Sequence, residues 1–244
     1  MMRNKRVNVC GIQIDNLTMQ EAIREIERLI QEKKPSYVVT PNVDHVVMYQ
    51  KDKEFRELYQ NADLVLADGV PILWAARFLG TPLKEKVSGS DLLPLVCAYA
   101  ARKHWRLWFL GAAEGVAQQA AQELSKQYDN LNIVGVYSPP FGFEKDEDEN
   151  THIMNLINAT KPDVLLVGLG APKQEKWIYR YRNIHQVPVS IGIGASFDFA
   201  AGVLRRAPSW MQHIGLEWFW RFLMEPRRLW SSVPSHSLLV RWQK

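Results

Sequence analysis

Six short apolar runs recur along the chain, and their spacing constrains the fold more than any other feature. They are YVVT (37–40), DLVLAD (63–68), RLWFLG (106–111), NIVGVY (132–137), DVLLVGLG (163–170) and VPVSIGIG (187–194). Each is rich in β-branched or aromatic residues and bounded by Gly, Pro or Asp, as buried parallel strands are. Helical stretches separate them. Thr18 and Glu21 form a capping box that opens LTMQEAIREIERLIQEK. Further helices are expected from Ser90-Asp91 through Arg102, from Glu114 to Tyr128 and from Asp148 to Ala159. This alternation predicts an α/β fold, a mostly parallel Rossmann-like sheet flanked by helices with right-handed crossovers. VNVCGIQI reads as an edge strand or hairpin.

The charge is unevenly placed. Residues 205–244 hold seven Lys or Arg against Glu217 and Glu225, a balance of +5, whereas residues 1–204 carry −1. The same last 40 residues hold five of the nine tryptophans, Trp210, Trp218, Trp220, Trp230 and Trp242. The expected organisation is therefore a catalytic-type core, 1–204, and a basic, Trp-rich helical appendage, 205–244. Such a segment suits an anionic membrane surface, where rings sit at headgroup depth and cations meet anionic lipid. Ordinary packing on the core is the competing reading. Nucleic acid is disfavoured, because the basic residues are few and the body is slightly acidic. Within the appendage, Leu216, Phe219, Trp220 and Leu223 fall on one stripe, with Glu217, Arg221 and Glu225 spaced by four on another face.

Cys10 and Cys97, the two cysteines, both sit in apolar stretches and are expected to be buried and reduced, as in a cytosolic protein. No secretion signal is read at the start of the chain, and no run reaches the roughly 18 apolar residues of a membrane span.

In open α/β sheets, ligands bind outside the carboxyl ends of the strands. There the chain offers Pro41-Asn42-Val43-Asp44-His45, Asp68-Gly69-Val70-Pro71, Gly111-Ala112-Ala113, Leu169 through Glu175, and Gly194 through Asp198. Glycines and helix starts of this kind suit a phosphorylated ligand such as a nucleotide. P-loop, GxGxxG, HExxH and GxSxG motifs are absent. The histidines lack metal-ligand spacing, and Asp146-Glu147-Asp148, which formally makes DxD, reads as a charge cluster at a helix start. Asp68 is the leading catalytic candidate, a lone carboxylate ending an apolar strand, suited to take a proton from a hydroxyl. The residues alone favour the plainer reading, an N-cap for the helix that follows. Asp44 and Asp198 are weaker candidates of the same kind.

TPNVDHVV (40–47), ADGVPILWAARFLG (67–80), VSGSDL (87–92), GLGAPKQEKWI (168–178), GIGASFDFAAG (192–202), RAPSWMQHIGLEW (206–218) and RFLMEPRRL (221–229) resemble the WecG/TagA/CpsF glycosyltransferase family over nearly the whole chain. The resemblance implies a metal-independent, inverting hexosyltransferase, without cofactor, peripheral on the cytoplasmic face of the cell membrane. It would move N-acetylmannosamine from a UDP-sugar donor to the 4-hydroxyl of an undecaprenyl-diphosphate-GlcNAc acceptor, for wall teichoic acid or a related polymer. By position, Asp68 resembles the catalytic base, Thr40, Asn42 and Gln174 resemble sugar contacts, and Arg221 and Arg228 resemble diphosphate-neutralising arginines of the appendage. Where a further basic residue is expected after EPRRL, this chain has Trp230-Ser231-Ser232-Val233-Pro234. Other donors (UDP-ManNAcA, UDP-glucose), a nucleotide-sugar-binding protein without turnover, and a homo-oligomer stay open at this stage.

Overall fold

The computed structural model describes residues 6–208 together with Trp210, Met211, Leu216, Glu217 and Trp220. The chain divides into two compact units, Met1–Arg205 and Arg206–Lys244. In chain order the first unit runs β1 (Arg6–Val9), β2 (Ile12–Asp15), α1 (Met19–Glu32), β3 (Ser36–Val39), α2 (Val43–Lys51), α3 (Lys53–Gln60) and β4 (Leu64–Val65). It continues with α4 (Val70–Phe78), α5 (Gly89–Lys103), β5 (Arg106–Gly111), α6 (Val116–Gln127), β6 (Asn132–Tyr137) and α7 (Glu147–Thr160). β7 (Val164–Gly168), α8 (Lys173–His185), β8 (Val189–Gly192) and α9 (Ser196–Ala200) complete it.

All six apolar runs form strands of one parallel sheet, ordered β4-β3-β8-β7-β5-β6. β3, β4, β7, β8 and nearly all of β5 are buried and mainly apolar because both faces are covered, whereas the edge strand β6 is only partly buried. Val38, Leu107, Phe109, Leu166 and Ile191 point into one core layer with α1, α5 and α6. Tyr37, Val39, Trp108, Leu110, Leu165 and Val167 alternate into the other, with α3, α7 and α8. Trp108 dictates a local feature of β6. A Cβ at Gly135 would run into its indole, so the β5–β6 register, which shifts after Leu107, needs glycine there.

The helices start where their caps require. Thr18 caps α1 in the expected capping box, and Ala22, Ile23, Ile26, Leu29 and Ile30 bury its inner stripe. α5 starts earlier than expected, capped by Ser88 through Asp91 N–H. α6 begins at Val116 after Gly115. α7 is capped by Asp146, whose Oδ1 accepts from the backbones of Asp148 and Glu149.

VNVCGIQI is the hairpin β1–β2. Cys10 and Gly11 form its two-residue turn, both at positive φ (51° and 93°), as a turn matching strand twist demands. Cys10 is therefore exposed, correcting the expectation from its apolar neighbours, while Cys97 is buried and its thiol is pushed up to about 12. Asp15 ties the hairpin to the sheet edge: one oxygen pairs with Arg6 at 3.0 Å and the other accepts from Val65 N–H of β4 at 2.9 Å. Burial nevertheless raises its carboxyl above the usual range, the Val65 and Arg6 bonds offsetting only part of that shift.

His185, at the end of α8, stacks on Trp177, and its Nδ1 accepts from Val187 N–H at 3.1 Å. Burial holds its imidazole down to about 4. The unfolded chain takes up this proton near pH 6.5, the folded one only near 4, so stability is lost as pH falls across that window. His185→Asn keeps an acceptor for Val187. Urea unfolding at about pH 7 and pH 4 should show the wild type losing on the order of 3 kcal/mol more than the variant. Parallel losses would mean that His185 does not titrate between these states.

Candidate active site at the carboxyl edge of the sheet

β4, β3, β8 and β7 are contiguous, and the segments leaving their carboxyl ends carry the candidate residues. After β3, Thr40 is buried and its hydroxyl makes a long 3.5 Å contact with Gly192 O at the end of β8. Asn42 caps α2, its Oδ1 accepting from Asp44 N–H at 3.0 Å and His45 N–H at 3.2 Å. Beside it, the chain leaving β4 stays paired to the chain leaving β3. Leu66 N–H donates to Val39 O and Asp68 N–H donates to Pro41 O, each at 2.9 Å. The backbone of Asp68 is thus fixed one residue from Asn42, with its side chain half-buried.

The cap reading of Asp68 is corrected here. The N-cap of α4 is Gly69, at φ 101°, and no side chain caps the helix. Gly69 turns the chain after Asp68, and Pro71 in the first turn of α4 tolerates its missing N–H there.

After β7 the chain turns through Gly170, at φ 75°, and a cis Ala171–Pro172 bond into α8. Gln174 and Glu175 fall in its first turn and are 3% and 1% exposed. Gln174 Oε1 accepts from Gly194 N–H, beyond β8, at 3.0 Å, and its Nε2 donates to Glu175 Oε1 at 2.7 Å. Glu175 Oε1 also lies 3.2 Å from His45 Nε2, and His45 Nδ1 lies 2.7 Å from Asn42 Oδ1. The structure therefore gathers Thr40, Asn42, Asp68 and Gln174 at one sheet edge. Sequence reasoning gave no role to His45, Glu175 or Tyr59, which lie beneath them. Tyr59 is fully buried, and burial first, then the charges of Glu175 and Asp68, pushes its phenol well above the usual range.

Arg221 and Arg228 lie outside the described residues. Within the second unit, Trp220 N–H donates to Leu216 O at 3.1 Å, one helical turn, and Arg206 lies 3.7 Å from Glu217. Asp44 is exposed in the first turn of α2, and Asp198 lies in the short α9. Among the described residues, no group of three or more His, Cys, Asp or Glu could hold a metal ion, and no helix is long and apolar enough to cross a membrane.

The chemistry of this edge follows from topology. A helix after a parallel strand begins at the strand's carboxyl end, so the N-termini of α2, α4, α6 and α8 all start there. Their dipoles, and the first-turn N–H groups of α4, α6 and α8, where the N-cap residue supplies no side-chain bond, favour an anion. The half-buried carboxylate of Asp68 adds a proton acceptor, and the amides of Asn42 and Gln174 suit a polyhydroxylated ligand.

The protein is a glycosyl transferase. The Glycosyl transferase WecG/TagA/CpsF family model matches residues 7–243, and the chain belongs to that family. Three of its relatives carry the name N-acetylglucosaminyldiphosphoundecaprenol N-acetyl-beta-D-mannosaminyltransferase. That of Bacillus subtilis (strain 168) is 32% identical over 86% of this chain and 81% of its own length. That of Bacillus spizizenii is 31% identical over 98% and 91%, and that of Staphylococcus aureus (strain MW2) 29% identical over 92% and 87%.

Gly192 tests the geometry. A Cβ there would come within 2.8 Å of Gln174 Nε2, the movable end of a flexible side chain. Gly192→Ala should cost only about 1 kcal/mol in urea unfolding, yet free Gly194 N–H to exchange faster with solvent. At Gly168 the added Cβ would meet Phe197 at 2.7 Å and Gly194 O at 3.0 Å, so Gly168→Ala should cost about 2–3 kcal/mol. Unchanged exchange at Gly194 in the Gly192 variant would break the link to Gln174.

Proposed function

We propose that this protein transfers N-acetylmannosamine from UDP-ManNAc to the 4-hydroxyl of an undecaprenyl-diphosphate-linked GlcNAc, with inversion at the anomeric carbon. The observation that carries this reading is the placement of Asp68. Its backbone is locked to Pro41, and Thr40, Asn42 and Gln174 leave the neighbouring strands at the same edge. The names of the relatives support N-acetylmannosamine as the transferred sugar and a lipid-linked GlcNAc as its acceptor.

In this mechanism the Asp68 carboxylate accepts the proton of the acceptor hydroxyl as its oxygen attacks the anomeric carbon. The bond from that carbon to the UDP oxygen breaks on the opposite face, and UDP carries away the electron pair. One displacement of this kind inverts the configuration. Asn42 and Gln174 hold sugar hydroxyl or acetamido groups, and helix N-terminal N–H groups face the diphosphate. Arg221 and Arg228 supply the matching cations, each with a fork that fits phosphate oxygens. Transfer needs no divalent cation. The DxD carboxylate Asp146 is committed to capping α7, which supports that reading. The basic, Trp-rich segment 205–244 rests on the anionic inner leaflet, where the acceptor lies.

The test is a panel of UDP-sugars with a short-chain lipid-diphosphate-GlcNAc acceptor, with and without EDTA. UDP-ManNAc should be the preferred donor and EDTA should leave the rate unchanged. Asp68→Asn, folded by circular dichroism, should lose about 10²–10⁴ in turnover. Preference for UDP-glucose or UDP-ManNAcA would reassign the donor, chelator sensitivity would overturn metal independence, and a wild-type rate in Asp68→Asn would remove it as the base.

A further inference from the structure

The buried carboxylate of Glu175 has no place in the chemistry above, yet it joins the two sides of the site. An ionised carboxylate withdrawn from water is costly unless donors surround it. Its Oε1 takes the Gln174 amide N–H at 2.7 Å and faces His45 Nε2 at 3.2 Å. Oε2 is buried and has no hydrogen-bond partner among the described residues, so Oε1 carries the carboxylate's polar contacts there. The imidazole cannot swing away, because the rings of Phe55 and Tyr59 pack on it with centroids 5.8 and 6.2 Å distant. Its other nitrogen, Nδ1, accepts from Asn42 N–H at 3.3 Å and lies 2.7 Å from Asn42 Oδ1, so the ring is held against Asn42. Because Nε2 of Gln174 is claimed by Glu175, its Oε1 faces Gly194 N–H, and the amide has one orientation.

We propose that Glu175 is a positioning residue for sugar transfer. It orients Gln174 directly and Asn42 through His45, so that the side chains leaving β3 and β7 keep a fixed separation across the sugar. The inference rests on the proposed function, with Asn42 and Gln174 as sugar contacts, and adds the group that sets their geometry.

A purely structural carboxylate would affect stability and activity whatever stands at 42 and 174, so a background experiment separates the two. Glu175→Gln keeps the size but replaces an acceptor by an amide, and should lower kcat/KM about 10- to 100-fold, the worth of a hydrogen bond to a charged group. In a chain already carrying Asn42→Ala and Gln174→Ala, the same change should cost less than about twofold, because the residues it acts through are gone. If Glu175→Gln does not fold, His45→Gln replaces it, with Asn42→Ala alone as the background and the same masking expected. Equal fold losses in both backgrounds would overturn the proposal. The side-chain amide NMR signals of Gln174 and Asn42 read the coupling without turnover. Glu175→Gln, or His45→Gln in its place, should shift both, and an unmoved Asn42 signal would also overturn the proposal. An inactive wild type would instead count against the proposed function, while the amide signals still decide the role of Glu175.

Discussion

The pairing of β3 with β4 on one side and β8 on the other is the constraint on which the site depends. Val38 and Val39 pair with Leu64 and Val65, and Ser36 to Val38 pair with Val189 to Ile191. Because the strands are parallel, this registration delivers Thr40, Asp68 and Gly192 to one edge together. It continues past the strands in the bond from Asp68 N–H to Pro41 O. A slip of one residue would turn Tyr37 and Val39 from one core layer into the other, and would move Asp68 away from Asn42. Burial of the sheet therefore fixes the geometry of the candidate site as firmly as it fixes the core.

A second layer of order lies under this edge. Gln174 and Glu175 are polar residues at positions where α8 is otherwise packed on the sheet by Trp177, Ile178 and Tyr181. Burying them is costly unless every donor meets an acceptor. The chain meets most of that demand by linking Gly194, Gln174, Glu175, His45 and Asn42 in sequence, leaving Glu175 Oε2 without a partner among the described residues. The same bonds that satisfy the buried groups orient the amides a sugar would meet, so stability and site geometry share their contacts.

Much of this was legible in the sequence, for identifiable reasons. The strands are continuous apolar runs between turn residues, and all six formed. The Thr18–Glu21 capping box and the Asp146 charge cluster act locally, so their spacing sufficed. Asp68 was ambiguous because Asp before a helix is a good cap, and only the backbone showed that Gly69 takes that position. Cys10 was misread because apolar neighbours hide a two-residue turn whose signal is Gly11 alone. His45 and Glu175 were missed because the contact that joins them links residues 130 apart in the chain. A local trace of Glu175 did exist: it lies three residues before Ile178, on the inward face of α8. The UDP-sugar and the lipid diphosphate were legible only through resemblance, since no local motif encodes them.

The central claim is that the sugar is held where β4, β3, β8 and β7 end, with Asp68 facing its anomeric carbon. A crystal structure of Asp68→Asn with intact UDP-ManNAc and a soluble acceptor measures this directly. The account predicts the donor sugar between Asn42 and Gln174, the diphosphate toward the helix N-termini, and the acceptor 4-hydroxyl about 3 Å from the residue-68 side chain. A sugar bound beyond β5 and β6, out of hydrogen-bond reach of residues 42, 68 and 174, would contradict it.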